Sequence, residues 1–341
     1  MDKPFHNANG FGSHGPRIED APLHAGSFWL HALLFITTAA SMTLAGATLA
    51  IEELPEPALP EPSSLLETIL KFPIYYLASS WLLINYVIAH PVLLGQGAMF
   101  AGSLLAILTA HEAGHYFACR LYRVQASLPY FIPAPPLFLA GTFGAFIRIR
   151  SSIPSRRALF DIAVAGPLAG FAVALPIAVA GVAVAQPAPL RDFEPGTMIT
   201  LNDPLLMRAF GHWLGVDLAH TQANPLYFAA WIGLLVTSLN LLPVGQLDGG
   251  HIVYALFGRR THALFGKMAF FAVLLLALLG WAWHGTPSGL VYALLLLIIL
   301  RLPHPPVTYE DDSLGSTRTL LAWVTLIVFI LCFLPFPITI R

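Results

Sequence analysis

The chain has 341 residues, 57% of them hydrophobic and only 10% charged, with a mean hydropathy of +0.72. Soluble domains carry about a quarter charged residues, so this composition excludes an ordinary soluble protein and points to a chain that crosses a membrane several times. The 17 basic and 18 acidic residues nearly cancel, which argues against nucleic acid or a polybasic lipid patch as partner.

Residues 1–27 mix glycine, histidine, proline and both charges, and read as a disordered lead. They contain no short apolar core with a small-residue cleavage site, so a cleaved signal peptide is not expected, and they are too acidic for a transit peptide. A first span is expected at Phe28–Ile51. Glu52–Ser64 is rich in proline and glutamate, a stiff exposed connection. Pro73–Ala89 is apolar and aromatic but closely bracketed by Lys71, His90 and Pro91. It reads either as a thin or tilted span or as an interfacial helix. Residues 28–96 thus form a first group of membrane segments. Cys119 and Cys332, the only cysteines, lie in or beside apolar runs and read as packing residues, so any metal must be held by histidine and carboxylate.

The next apolar stretch, Gly97–Tyr122, ends in His111-Glu112-Ala113-Gly114-His115. In a helix, positions i and i+4 share a face, so both imidazoles can reach one metal ion while Glu112 stands beside them to take a proton from water. That is the donor pattern of a zinc hydrolase with its glutamate as general base. The plain alternative is a hydrogen-bonded histidine pair and a glutamate at a helix end. With the helix starting near Ala98, His111 lies about 20 Å along it, towards one membrane face. Arg120, Arg123, Arg148, Arg150, Arg156 and Arg157 follow, which places this side in the cytoplasm.

Leu128–Leu139 is apolar but carries four prolines, which excludes a regular helix. Gly141–Arg150 then alternates as a strand does. Irregular backbone at membrane depth is tolerated only against protein or a wet cavity, so the pair reads as a short re-entrant β-hairpin. It is either a lid over the cavity or an edge that pairs with an unwound substrate, with Gly141, Gly144 and Phe146 as the substrate-facing candidates. A span at Ala158–Ala185 carries Gly166 and Gly170 four apart, a small-residue face for close packing. Its Asp161 reads as an N-terminal or interface carboxylate. Gln186–Asn224 forms a loop on the opposite side, where His212 and His220 read as solvent-facing.

A further span at Pro225–Leu242 runs into Asn240-Leu-Leu-Pro-Val-Gly-Gln-Leu-Asp248-Gly-Gly. Pro243 ends the helix and the glycines permit a tight turn, so this is a broken helix at membrane depth, and such breaks usually line a site. Asp248 can complete a His-His-Asp set with the fourth position open, and Asn240 can donate to a developing oxyanion. The alternative for Asp248 is a simple helix cap.

HEAGH in one span and NLLPVGQLDGG in another resemble the site-2 protease family of intramembrane zinc metalloproteases. GTFGAFIRIRS and ALFDIAVAGPLAG are similar to its branch of chloroplast and bacterial members. The resemblance implies a Zn2+ ion held by His111, His115 and Asp248, with Glu112 catalytic and Asn240 assisting. It also implies a three-helix catalytic core within 97–257, and transmembrane protein substrates that enter from the bilayer. Many relatives carry a PDZ insertion of about a hundred residues, for which no loop here has room. Residues 258–341 add spans at Leu264–Trp283, Ser288–Leu300 and Thr319–Phe336, with Glu310, Asp311 and Asp312 in a solvated connector.

The expectation is an all-α polytopic membrane protein with seven or eight transmembrane helices. It would be an intramembrane protease of a bacterial inner membrane, its site nearer the cytoplasmic side. The alternative is a non-proteolytic membrane zinc-binding protein or carrier. A carrier needs a polar path right through the bilayer, whereas the polar groups here cluster near one face.

Overall fold

The computed structural model describes residues 25–51, 62–188, 199–286, 288–302 and 314–340, with a few isolated positions between them. Most of the lead 1–27 and the acidic triplet Glu310–Asp312 lie outside the described residues.

The architecture is helical throughout, in chain order α1 (Ala25–Leu49), α2 (Leu65–Ala89), α3 (Pro91–Leu121), α4 (Arg156–Ala183), α5 (Leu205–Leu214), α6 (Pro225–Asn240), α7 (Asp248–His284), α8 (Ser288–Arg301) and α9 (Gly315–Cys332). Three two-stranded antiparallel pairs accompany them: β1 (Tyr130–Pro133) with β2 (Thr142–Phe146), β3 (Gln186–Pro187) with β5 (Thr221–Gln222), and β4 (Ile199–Leu201) with β6 (Ile338–Ile340). Among the described residues, six helices are long and apolar enough to cross a membrane (α1, α2, α3, α4, α7 and α9), and two shorter apolar ones are α6 and the segment Gly289–Arg301. The chain is a polytopic helical membrane protein.

Several boundaries differ from those expected, each for a local reason. The ambiguous apolar segment is a continuous 25-residue helix from Leu65, because the Ser64 hydroxyl caps its first turn by accepting from the Glu67 amide. Pro73 then lies inside it. Only His90 separates α2 from α3, whose first residue is Pro91, where proline has no amide to leave unpaired. The helix that carries His111 and His115 is therefore seven residues longer at its start than expected. The 37-residue α7 is two helices joined at Gly258, whose φ of 80° and ψ of 179° are open only to glycine. The first piece continues the broken α6 and the second recrosses. The loop after β4 holds an unexpected amphipathic helix, α5, which buries Leu206 and Met207.

Helices α3, α4 and α6 form the centre, with α1 packed along α3. In lipid there is little hydrophobic drive between helices, so close backbone approach does the packing. On α1, Gly46 faces Phe100 of α3, and Gly97 of α3 faces Thr43 and Ala47 of α1, so the two backbones approach closely. Trp231 of α6 is the largest fully buried side chain and donates its indole N–H to the Asn202 carbonyl at 2.7 Å. Lipid-facing sides are apolar and exposed, as on α2 with Leu66, Ile69, Leu70 and Phe72.

The β1–β2 hairpin lies along α1. Its base meets His31, whose Nδ1 bonds the Pro129 carbonyl at 3.0 Å, and its tip meets Ser41, whose hydroxyl donates to the Gly141 carbonyl at 2.7 Å. Ten residues of α1 between these contacts span about 15 Å, so the hairpin reaches into the helical layer.

Candidate metal centre

His111 and His115 lie on the inward face of α3, both buried, where α4 passes closest. That closeness is built from the glycines of α4. A Cβ on Gly166 would strike the His115 ring, and one on Gly170 would come within 3.1 Å of the His111 Cβ. The spacing of four on α4 matches the spacing of four on α3, and each imidazole has a glycine beneath it.

The ring of His115 is held from behind. Its Nδ1 lies 2.8 Å from the Ile162 carbonyl of α4. A carbonyl only accepts, so this nitrogen carries the proton and Nε2 of the neutral ring presents a bare lone pair to the cavity. Nε2 of His115 stands 3.1 Å from Nε2 of His111. The Asp248 carboxylate faces both rings from the first turn of α7, with Oδ2 at 3.3 Å from His111 Nε2 and Oδ1 at 3.4 Å from His115 Nε2. Three donors each about 2.0 Å from a tetrahedral zinc stand roughly 3.3 Å apart. With one donor atom taken from each residue, all three lie within 4.8 Å of one another, close enough for a small turn of the carboxylate to reach that spacing, and two imidazoles with one carboxylate are a donor set that suits zinc. These three residues form the single group of three or more possible metal-binding side chains among the described residues.

Glu112 is buried beside this triangle, and it lines one cavity with Ile147, just after β2. The Asn240 amide nitrogen, at the end of α6, lies 3.4 Å from His111 Nε2. A cavity of about 580 Å³ opens onto these groups, lined among others by Phe146, Ile147, Arg148, Gln246 and His251. It offers ligand lone pairs, a carboxylate placed for proton transfer and an amide donor within one small space.

Of the residues expected to face substrate, Phe146 lines this cavity. Gly144 pairs with Ile132 of β1, and Gly141 sits at the hairpin tip against Met42. Within the described residues, no third strand pairs with β2. Sequence reasoning saw the small-residue face of α4 but not that it seats the two imidazoles. It also missed Ile162, whose contribution is a backbone carbonyl and leaves no mark in the residue type. Gln246 was within reach, since it stands two residues before Asp248.

Fold and site together define a polytopic helical membrane protein with two buried histidines and a part-buried aspartate that could hold a metal ion, and a neighbouring glutamate. Residues 99–280, over half of the chain, match the model of peptidase family M50, and the chain belongs to that family. Among curated proteins it is similar to the probable zinc metalloprotease EGY1, chloroplastic, of Arabidopsis thaliana, with 33% identity over 240 residues, 69% of this chain and 42% of that protein. The protein of the same description from Oryza sativa subsp. japonica is 34% identical over 240 residues, covering 69% and 40%. The probable zinc metalloprotease EGY2, chloroplastic, of Arabidopsis thaliana is 30% identical over 245 residues, covering 68% and 40%. The chain spans about two fifths of the length of these relatives.

Proposed function

We propose that the chain is an intramembrane zinc metalloprotease that hydrolyses peptide bonds within or near transmembrane helices of membrane-protein substrates. The observation that carries this reading is the triangle of His111, His115 and Asp248 with Glu112 beside it, inside the helical layer. Zinc held by these three residues supplies Lewis acidity, which lowers the pKa of water and polarises a carbonyl. Glu112 removes a proton from the attacking water as its oxygen bonds to the peptide carbon. The same carboxyl returns that proton to the leaving amide nitrogen as the C–N bond breaks. The Asn240 amide donates to the oxygen on which negative charge builds.

A helical substrate shields its own carbonyls, so it must unwind before attack. The free side of β2 offers an unwound segment a partner for its backbone hydrogen bonds, and Phe146 offers it an apolar contact. The proposed membrane is a bacterial inner membrane with the centre nearer the cytoplasm. The arginine-rich segments at the ends of α3 and α4 support that placement.

The test uses purified protein in detergent with single-span peptides, some carrying an Asn-Pro pair that loosens the helix. Wild type should retain about one zinc per chain and cleave the loosened peptides first. Glu112→Gln should retain the zinc and cleave nothing. Continued cleavage by Glu112→Gln would sink the assignment of the general base.

A further inference from the structure

Tyr122, Asp161 and Arg318 come together from three helices at the arginine-rich end of the molecule. Asp161 is in the second turn of α4, Tyr122 caps the C-terminus of α3, and Arg318 is in the first turn of α9. The Arg318 guanidinium grips the carboxylate with two parallel bonds, Nε to Oδ1 at 2.8 Å and Nη2 to Oδ2 at 2.7 Å. The Tyr122 hydroxyl donates to the same carboxylate and accepts from Nη2 at 3.2 Å. Arg318 also donates through Nη1 to the Leu314 carbonyl at 3.3 Å. Both charged side chains are about three-quarters shielded from solvent, at 26% and 25% exposure.

What gives this cluster a consequence is the next residue. Asp161 precedes Ile162, whose carbonyl holds the His115 ring. Tyr122 lies two turns beyond His115 on the same helix, so α3 is tied to α4 twice, once through His115 and once through Tyr122. Gly166 leaves no slack one turn further on, because its backbone already abuts the His115 ring. A slip of α4 along its axis would break the Nδ1 bond in one direction and crowd the ring in the other. Helix α9 lies outside the stretch that matches the family model, yet it supplies the arginine that completes the tie.

We infer that Arg318, Asp161 and Tyr122 form a positioning clasp that sets the register of α4 against α3 and thereby aims the Nε2 lone pair of His115. Surface ion pairs are worth little on average, but a bidentate arginine pair with a shared tyrosine fixes direction as well as charge. The clasp acts through the Ile162 carbonyl and touches no reacting atom. It rests on the metal-centre reading above, and its test separates the two.

The full chain is purified in detergent, and two quantities are read. One is the rate at which zinc is lost to a chromogenic chelator, and the other is the visible absorption of the cobalt(II)-loaded protein, which reports ligand geometry. Arg318→Ala and Asp161→Ala should release zinc at least about tenfold faster, the scale expected when the partners that orient a ligand are lost. Their cobalt spectra should shift. The exchanged pair Asp161→Arg with Arg318→Asp should release zinc more slowly than either single exchange. Tyr122→Phe, which removes one oxygen and keeps the ring, should move both readouts in the same direction by less, and it decides the matter if the alanine variants do not fold. Wild-type zinc release and cobalt spectra in these variants would overturn the clasp, as would an exchanged pair no better than its single changes. A wild type that holds no zinc would overturn the metal centre itself, and the clasp with it.

Discussion

Gly166 and Gly170 stand one turn apart on α4 and meet the two histidines, but they are not equally tight. A methyl group on Gly166 lands on the His115 ring, whereas one on Gly170 comes to 3.1 Å from a Cβ, a contact that small shifts relieve. Gly166→Ala should therefore weaken zinc binding by at least about tenfold, and Gly170→Ala by clearly less. Chelator competition on the two purified variants checks the order, and equal retention in both would mean that α4 does not seat the rings. Asn240 is proposed for a different task, donating to the oxygen on which charge builds rather than holding the metal donors. Asn240→Ala should keep its zinc and lose about 10²–10³ in kcat, the usual cost of one oxyanion donor. Loss of zinc in that variant would recast Asn240 as support for His111, from which it lies 3.4 Å away.

Elements break here where the site needs them to. Helix α6 stops at Asn240, the chain turns through Pro243 and Gly245, and α7 begins on Asp248, so the carboxylate enters the centre from a helix start. Gly258 makes the second break, with a backbone conformation that only glycine adopts readily. Gly258→Ala should destabilise the protein by about 1–3 kcal/mol, seen as a lower unfolding temperature of the detergent-solubilised chain. An unchanged transition would show that α7 can run straight without cost. Such breaks were legible in the sequence because proline and glycine carry their conformational limits locally. So was HEAGH, since a spacing of four is a helix face. The start of α3 at Pro91 was not legible, because an N1 proline looks the same as a helix breaker until the preceding turn is known. The partnership of Asp161 with Arg318 was hidden for another reason: 157 residues separate them, and each alone reads as an ordinary charge at a membrane edge.

At the scale of the molecule, the arginines decide orientation. Arg120, Arg123, Arg148, Arg150, Arg156, Arg157, Arg259 and Arg260 gather where α3 ends, α4 begins and α7 bends, while the β3–β5 pair lies at the other ends of α3, α4 and α6. Positive residues stay on the cytoplasmic side, so the bend of α7 at Arg259 should face the cytoplasm and the turn at Asp217 the opposite compartment. The protein is suited to a direct check, because its only thiols, Cys119 and Cys332, are both fully buried and give little background to a charged reagent. Arg259 and Asp217 are by contrast on the surface. A single cysteine at Asp217 should react with a membrane-impermeant maleimide in spheroplasts, and one at Arg259 only after the membrane is opened. The reverse pattern would turn the molecule over. It would also place the mouth of the Glu112 cavity outside the cell, since Arg148 lines that cavity on the same face as Arg259. Substrates would then have to unwind near the outer rather than the inner leaflet. If the chain is the protease proposed above, orientation decides which end of a substrate helix must loosen to reach Glu112.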